Sequence, residues 1–172
     1  QPSSFFFDTP DRSPDLTGGS VRVSVDGATF TTRDIYVDVS ASNVGANESA
    51  GFAKGGTALI EAANGGTITT IPNDGFGGTL YVDARASGSN GPFASDLTGG
   101  AITLSARSGG TIEAGGGTLD LQAGAYGRPA AGGGGECPSF CEIQFQSIGG
   151  STAGNGANAQ GGTIAIDALG GA

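Results

Sequence analysis

The sequence predicts an all-β fold, a parallel β-helix (β-solenoid) with irregular loop insertions. Three observations predict it. A short template opening on Gly-Gly recurs along the chain, each copy continues with an apolar residue at every second position, and glycine fills 35 of the 172 positions, against a usual share of about 7%.

The template is Gly-Gly, a small residue, then apolar–x–apolar–x–small. Its first copies are Gly18-Gly19-Ser20-Val21-Arg22-Val23-Ser24-Val25, Gly55-Gly56-Thr57-Ala58-Leu59-Ile60-Glu61-Ala62 and Gly77-Gly78-Thr79-Leu80-Tyr81-Val82-Asp83-Ala84. Further copies start at Gly99, Gly116 and Gly161, and Ile35-Tyr36-Val37-Asp38-Val39 keeps the alternation without its glycines. Shorter versions stand at Gly65-Gly66-Thr67-Ile68 and Gly109-Gly110-Thr111-Ile112. Side chains alternate faces along a strand, so each copy has one apolar face and one polar face. The expected inward set is Val21, Val23, Ile60, Leu80, Val82, Ile102, Leu104, Leu119, Leu121, Ile164 and Ile166. The expected outward, solvated set is Arg22, Glu61, Tyr81, Asp83, Asp120, Gln122 and Asp167.

Gly-Gly is expected at corners, where positive φ or a close backbone approach excludes a Cβ. Apolar spacing of two and abundant glycine disfavour helix. Near-identical strands favour stacking of like on like over a sandwich of independent strands.

Grouping the copies gives coils of one full strand, one short strand and a second full strand. Coil starts fall at residues 18, 55, 99 and 161, which are 37, 44 and 62 residues apart. The excess length is expected in loops at Ser40 to Lys54, Ser87 to Thr98 and Gly124 to Gln160. Accordingly, residues 1–17 are expected to form an N-terminal segment or cap, and 18–123 the coils. Residues 124–160 are expected to form a Gly-rich insertion, and 161–172 to start a further coil of a longer chain. The insertion contains Gly132-Gly133-Gly134-Gly135 and, at Ile143-Gln144-Phe145, an expected protruding strand or hairpin. Phe5-Phe6-Phe7 is expected to be the tail of a preceding coil or an apolar plug over the open end.

Composition narrows function. The net charge is −9, with Lys54 the only lysine and no histidine. Such a surface repels nucleic-acid phosphates and anionic lipid, so neither nucleic acid nor membrane insertion is expected. No apolar run approaches the roughly 18 residues of a spanning helix. The absence of histidine removes the commonest general base and the commonest metal ligand.

The Gly-Gly-Thr-Ile and Gly-Gly-Thr-Leu-Asp-Leu repeats resemble the passenger regions of filamentous-haemagglutinin-like exoproteins and autotransporter adhesins. The likeness covers residues 18–123 and 161–172 and is one of repeat style. It implies a right-handed parallel β-helix, secreted to or displayed on a bacterial cell surface.

Cys137 and Cys141, the only cysteines, are expected to form a disulfide outside the cytoplasm. Free thiols and a zinc site are the alternatives, and zinc lacks the histidines or second cysteine pair that would complete four ligands. Asn73-Asp74-Gly75-Phe76-Gly77-Gly78 reads as an ordinary turn in preference to a calcium turn, since the segment occurs once. Asp83 and Asp120 each lie in a second full strand and are candidates to align in a column, with Asp38 and Asp167 as further members. Polysaccharide-cleaving enzymes set two or three acids on one face, whereas the simpler reading is a row of solvated charges. Arg85 and Arg107 are the bases placed to neutralise them.

No catalytic, cofactor or metal residues are assigned. The expected function is a non-catalytic structural or adhesive module, whose partner is a host or neighbouring cell surface, glycan or matrix. A filament or matrix subunit that self-associates through its ends is the first alternative, and a polysaccharide-active enzyme the second.

Overall fold

The structure is a computed structural model and describes residues 15–42, 52–72, 78–88, 96–115, 117–127, 143–146 and 159–170. Among these residues all regular structure is β-strand, and every strand pairing is parallel. The stacked parallel sheets are consistent with a β-solenoid or β-helix.

The chain path repeats in coils. The first coil runs through β1 (Leu16–Thr17), β2 (Ser20–Asp26), β3 (Thr29–Thr32), β4 (Asp34–Asp38) and β5 (Ala41–Ser42). The second runs through β6 (Ala53–Lys54), β7 (Thr57–Ala63), β8 (Thr67–Thr70), β9 (Thr79–Asp83) and β10 (Ala86–Gly88). The third comprises β11 (Leu97–Thr98), β12 (Ala101–Arg107), β13 (Thr111–Ala114), β14 (Leu119–Gln122) and β15 (Ala125–Gly127). Then follow β16 (Ile143–Gln146), β17 (Ala159–Gln160) and β18 (Thr163–Leu169).

Equivalent strands form five sheets, numbered here along the coil. Sheet 1 is β1-β6-β11-β17, sheet 2 is β2-β7-β12-β18, sheet 3 is β3-β8-β13, sheet 4 is β4-β9-β14-β16 and sheet 5 is β5-β10-β15. The template copies stack in register: Val23 on Ile60, Ile60 on Leu104, Leu104 on Ile166. A one-residue slip would turn every apolar side chain outward, and this fixes the register.

The strand order departs from expectation in two places. Sheets 1 and 5 add two short strands per coil that carry no Gly-Gly template. In addition, β16 does not protrude as a hairpin. It lies on β14 in register, Leu119 on Ile143 and Leu121 on Phe145, so the insertion after β15 supplies the outer strand of sheet 4 before β17 resumes the coil.

The interior is divided in two. Sheets 2, 3 and 4 enclose the larger core, with Ile60, Ile68, Leu80, Val82, Ile102 and Leu121 fully buried. Sheets 1 and 5 enclose a smaller one of Ala41, Ala53, Ala86, Leu97 and Ala125, with Leu16 against it. The expected inward residues all face the large core or its ends. Val23, Leu119 and Ile164 are partly buried, and Val21 and Ile166, on the outer strands of sheet 2 among the described residues, are 37% and 54% exposed.

Gly-Gly makes the division. Between sheets 1 and 2 the backbone turns in toward the opposite corner, between sheets 4 and 5. The amides of Gly56, Gly100 and Gly162 donate across the interior to the carbonyls of Val39, Ala84 and Ala123 of the preceding coil, each at 2.8 Å. A Cβ on Gly55, Gly56, Gly99, Gly100 or Gly162 would fall closer than 3.0 Å to those carbonyls or to the next glycine pair. These glycines serve close approach, and no positive φ is involved. Positive φ occurs at the corner between sheets 2 and 3, where Asn64 and Gly65 (52° and 74°) and Ser108 and Gly109 (52° and 77°) form two-residue left-handed turns. Each turn is closed by a bond from Gly66 to Ala63 or from Gly110 to Arg107, as in type I′ turns.

The waist generates a paired prediction. A Cβ at Gly19 meets nothing within 4 Å, so Gly19→Ala leaves denaturant stability within about 0.5 kcal/mol of wild type. Gly100→Ala forces two backbones apart and costs about 1–3 kcal/mol or more. Equal effects at the two positions in urea unfolding would contradict the assignment.

Candidate functional site

The richest polar surface lies on the outer face of sheet 4 and its corner with sheet 5. Alternation along β4 and β9 sends Ile35, Val37, Leu80 and Val82 into the core and leaves Tyr36, Asp38, Tyr81 and Asp83 outside. In-register stacking then builds two columns. Tyr36 lies beside Tyr81, followed by Asp120, and Asp38 lies beside Asp83, followed by Gln122. The tyrosine rings are 5.9 Å apart between centroids, inclined at 46°, a favourable tilted arrangement. Tyr36 is 69% exposed.

Asp83 points outward yet is buried, at 5% exposure, which overturns its reading as a solvated charge. Arg85 covers it. The Arg85 Nε donates to both carboxylate oxygens at 2.9 Å, a terminal guanidinium nitrogen adds a further contact, and the Arg85 amide donates to Oδ1 at 2.9 Å. The Tyr81 hydroxyl donates to Oδ2 at 3.1 Å. Burial, reinforced by the charge of Asp83, pushes the Tyr81 phenol up to about 12. Asp38 is exposed, and its carboxyl is held below the usual range by the Ser40 hydroxyl and by the Ser40 amide at 2.9 Å. Beside these groups a hollow of about 200 Å³ is lined by Ser40, Asp83, Arg85 and Ser87, and Ser87 donates to Ser42 at 2.8 Å.

The expected acid column is therefore reorganised. Asp38 and Asp83 do stack, but Asp120 lies two positions away along the strand, beside Tyr81, where Gln122 donates to its Oδ2 at 2.8 Å. The Oδ1 of Asp120 is buried without a hydrogen-bond partner among the described residues. Asp167 stands on sheet 2, in the column of Ser105 and Glu61. Glu61 is likewise 4% exposed and not solvated. It is gripped by Arg22 of the first coil at 2.9 Å and by Arg107 of the third.

Arg85 pairs with Asp83 as anticipated, whereas Arg107 serves Glu61. Tyr36, Ser40, Ser42 and Ser87 were missed. Aligning Ile35-Tyr36-Val37-Asp38 with Leu80-Tyr81-Val82-Asp83 exposes the tyrosine pair, but the first copy lacks the Gly-Gly that marks the others. Cys137, Cys141, Phe5-Phe6-Phe7, the Gly132–Gly135 run and Asn73–Gly77 lie outside the described residues.

Chemically, the face offers an exposed aromatic platform, an ionised carboxylate, a half-covered guanidinium and serine hydroxyls, on the strands of sheets 4 and 5 and the corner between them. That combination suits hydrogen bonding and stacking to a polar, ring-shaped ligand. No protein-family model, curated protein or solved structure matches the chain.

The Tyr81 environment is directly testable. A phenol raised from 10.0 to about 12 in the folded state contributes stability below pH 10 that is lost as pH rises through about 12. Tyrosinate absorbance should therefore show a high-pH step near 12 that disappears in Tyr81→Phe. A titration of the two proteins differing only near pH 10 would contradict the buried geometry.

Proposed function

We propose that the chain is a non-catalytic adhesive module, a right-handed parallel β-helix of a secreted or surface-displayed bacterial protein. Its outer sheet-4 face binds glycan on a host or neighbouring cell surface or matrix. The observation that carries this reading is the Tyr36–Tyr81 pair in register, flanked by Asp38, Arg85 and the serines of sheet 5. Tyr36 and Tyr81 offer like contacts on two adjacent coils at a rise of about 4.8 Å, a repeat close to that of a linear polysaccharide. Sugar rings present an apolar face to an aromatic platform and hydroxyls to the polar groups around it. The acidic, low-lysine composition supports a dispersed extracellular protein, and the repeat resemblance supports the surface location.

A glycan panel tests the proposal. Neutral polysaccharides should bind, with no reducing-end or unsaturated product released. Tyr36→Ala should weaken binding at least about tenfold, the scale of an exposed aromatic anchor, while Asp167→Asn on sheet 2 leaves it unchanged. Product release, or binding indifferent to Tyr36, would overturn the reading.

A further inference from the structure

The corner between sheets 2 and 3 turns on two left-handed residues, and the second coil fills it with Asn64-Gly65, at φ 52° and 74°. Asn-Gly suits such a turn, because asparagine tolerates positive φ and glycine has no Cβ to oppose it. The same dipeptide is chemically fragile. Asparagine is a thermolabile residue, most of all before glycine, where no side chain shields the next amide nitrogen from the asparagine carboxamide. The third coil makes the same turn with Ser108-Gly109, so the turn itself does not require an amide side chain. Asn-Gly also stands at Asn90-Gly91 and Asn155-Gly156, outside the described residues.

Asn64 and Gly65 are both exposed, so water reaches them, yet each reacting group is held by a different coil. The Asn64 Nδ2 donates to Oδ1 of Asp26 in the first coil at 2.8 Å. The Gly65 amide donates to the carbonyl of Ser108 in the third coil at 3.0 Å. The turn between them is closed by the Gly66 amide on the carbonyl of Ala63 at 2.8 Å. For the Gly65 nitrogen to reach the Asn64 Cγ, the amide must leave Ser108 and the carboxamide must leave Asp26. Both inter-coil contacts have to open together.

We propose that Asn64-Gly65 is a deamidation site which the stacked coils keep closed and which reacts when they part. In the reaction the Gly65 nitrogen loses its proton to hydroxide and bonds to Cγ of Asn64. The carboxamide nitrogen takes up a proton and leaves as ammonia. Water then opens the resulting succinimide at either carbonyl, giving aspartate or isoaspartate. Neither product restores the corner. Aspartate sets a second carboxylate against Asp26 where an N–H donor stood, and like charges on adjacent strands repel. Isoaspartate adds a backbone carbon to a two-residue turn, ahead of the strand that must place Thr67 beside Thr29 and Thr111. A chain that opens and converts is thereby hindered from closing again. The inference does not involve the sheet-4 face and does not depend on glycan binding.

Peptide mapping by mass spectrometry tests this on the 172-residue chain, incubated in mildly alkaline buffer with and without urea above the unfolding midpoint. Conversion at Asn64 should be at least about tenfold slower in the folded chain, because it waits on a local opening. Asp26→Ala, verified as folded by circular dichroism, should raise the folded rate at least about threefold, the scale of one lost hydrogen bond, and leave the rate in urea unchanged. After incubation in urea and return to buffer, wild type should regain less of its β signal the more it has converted at Asn64. Asn64→Ser, which copies the turn of the third coil, should regain its signal fully after the same treatment. Equal rates at Asn64 with and without urea, or a folded rate indifferent to Asp26, would overturn the protection by neighbouring coils. Equal recovery of wild type and Asn64→Ser would overturn the effect on closure.

Discussion

The backbone contact across the waist organises the whole cross-section. Three amides, those of Gly56, Gly100 and Gly162, point inward and find their acceptors on the opposite corner of the preceding coil. A buried amide turned away from its own sheet needs such a partner, and only a residue without a Cβ lets the two chains come close enough. Once that contact exists, sheets 2, 3 and 4 close around one core and sheets 1 and 5 around another. The small alanine-rich core is narrow because the waist confines it.

The outer surface is ordered by the same repetition. In-register stacking places like positions side by side, so a carboxylate in one coil must reckon with what its neighbours carry. Two acids are resolved by arginine. Asp83 is covered by Arg85, and Glu61 is shared by arginines from the coils on either side. The arginines remain about half exposed, so these pairs retain water on one side and add to stability only modestly. Their larger effect is to lock the outward side chains, leaving Tyr36 and Asp38 presented on a rigid surface.

Much of this was legible in the residues. The alternation in Gly-Gly-Ala-Ile-Thr-Leu-Ser-Ala and its copies set the strands, their facing and their mutual register, because period two with a repeated sequence admits few other arrangements. The short strands of sheets 1 and 5 were hidden, since Leu97-Thr98 or Ala41-Ser42 is too brief to show a period. The purpose of Gly-Gly was half visible: absence of a Cβ was clear, but the choice between positive φ and close approach depends on what lies across the coil. Burial of Asp83 and Glu61 was concealed for a similar reason. An acid at an outward position reads as solvated until the arginine that covers it is found, and Arg22 and Arg107 reach Glu61 from positions 39 and 46 residues away in sequence. The place of β16 could not be read either, because Ile143-Gln144-Phe145 carries a strand pattern without a Gly-Gly to fix its coil.

Amide hydrogen exchange resolved by residue tests the waist most directly. If the inward hydrogen bonds hold the coils together, the amides of Gly56, Gly100 and Gly162 exchange as slowly as those of Ile60 and Ile102 in the neighbouring strands, opening only with global unfolding. Fast, loop-like exchange at these three glycines, with the strands of sheet 2 still protected, would contradict a stack built on that contact.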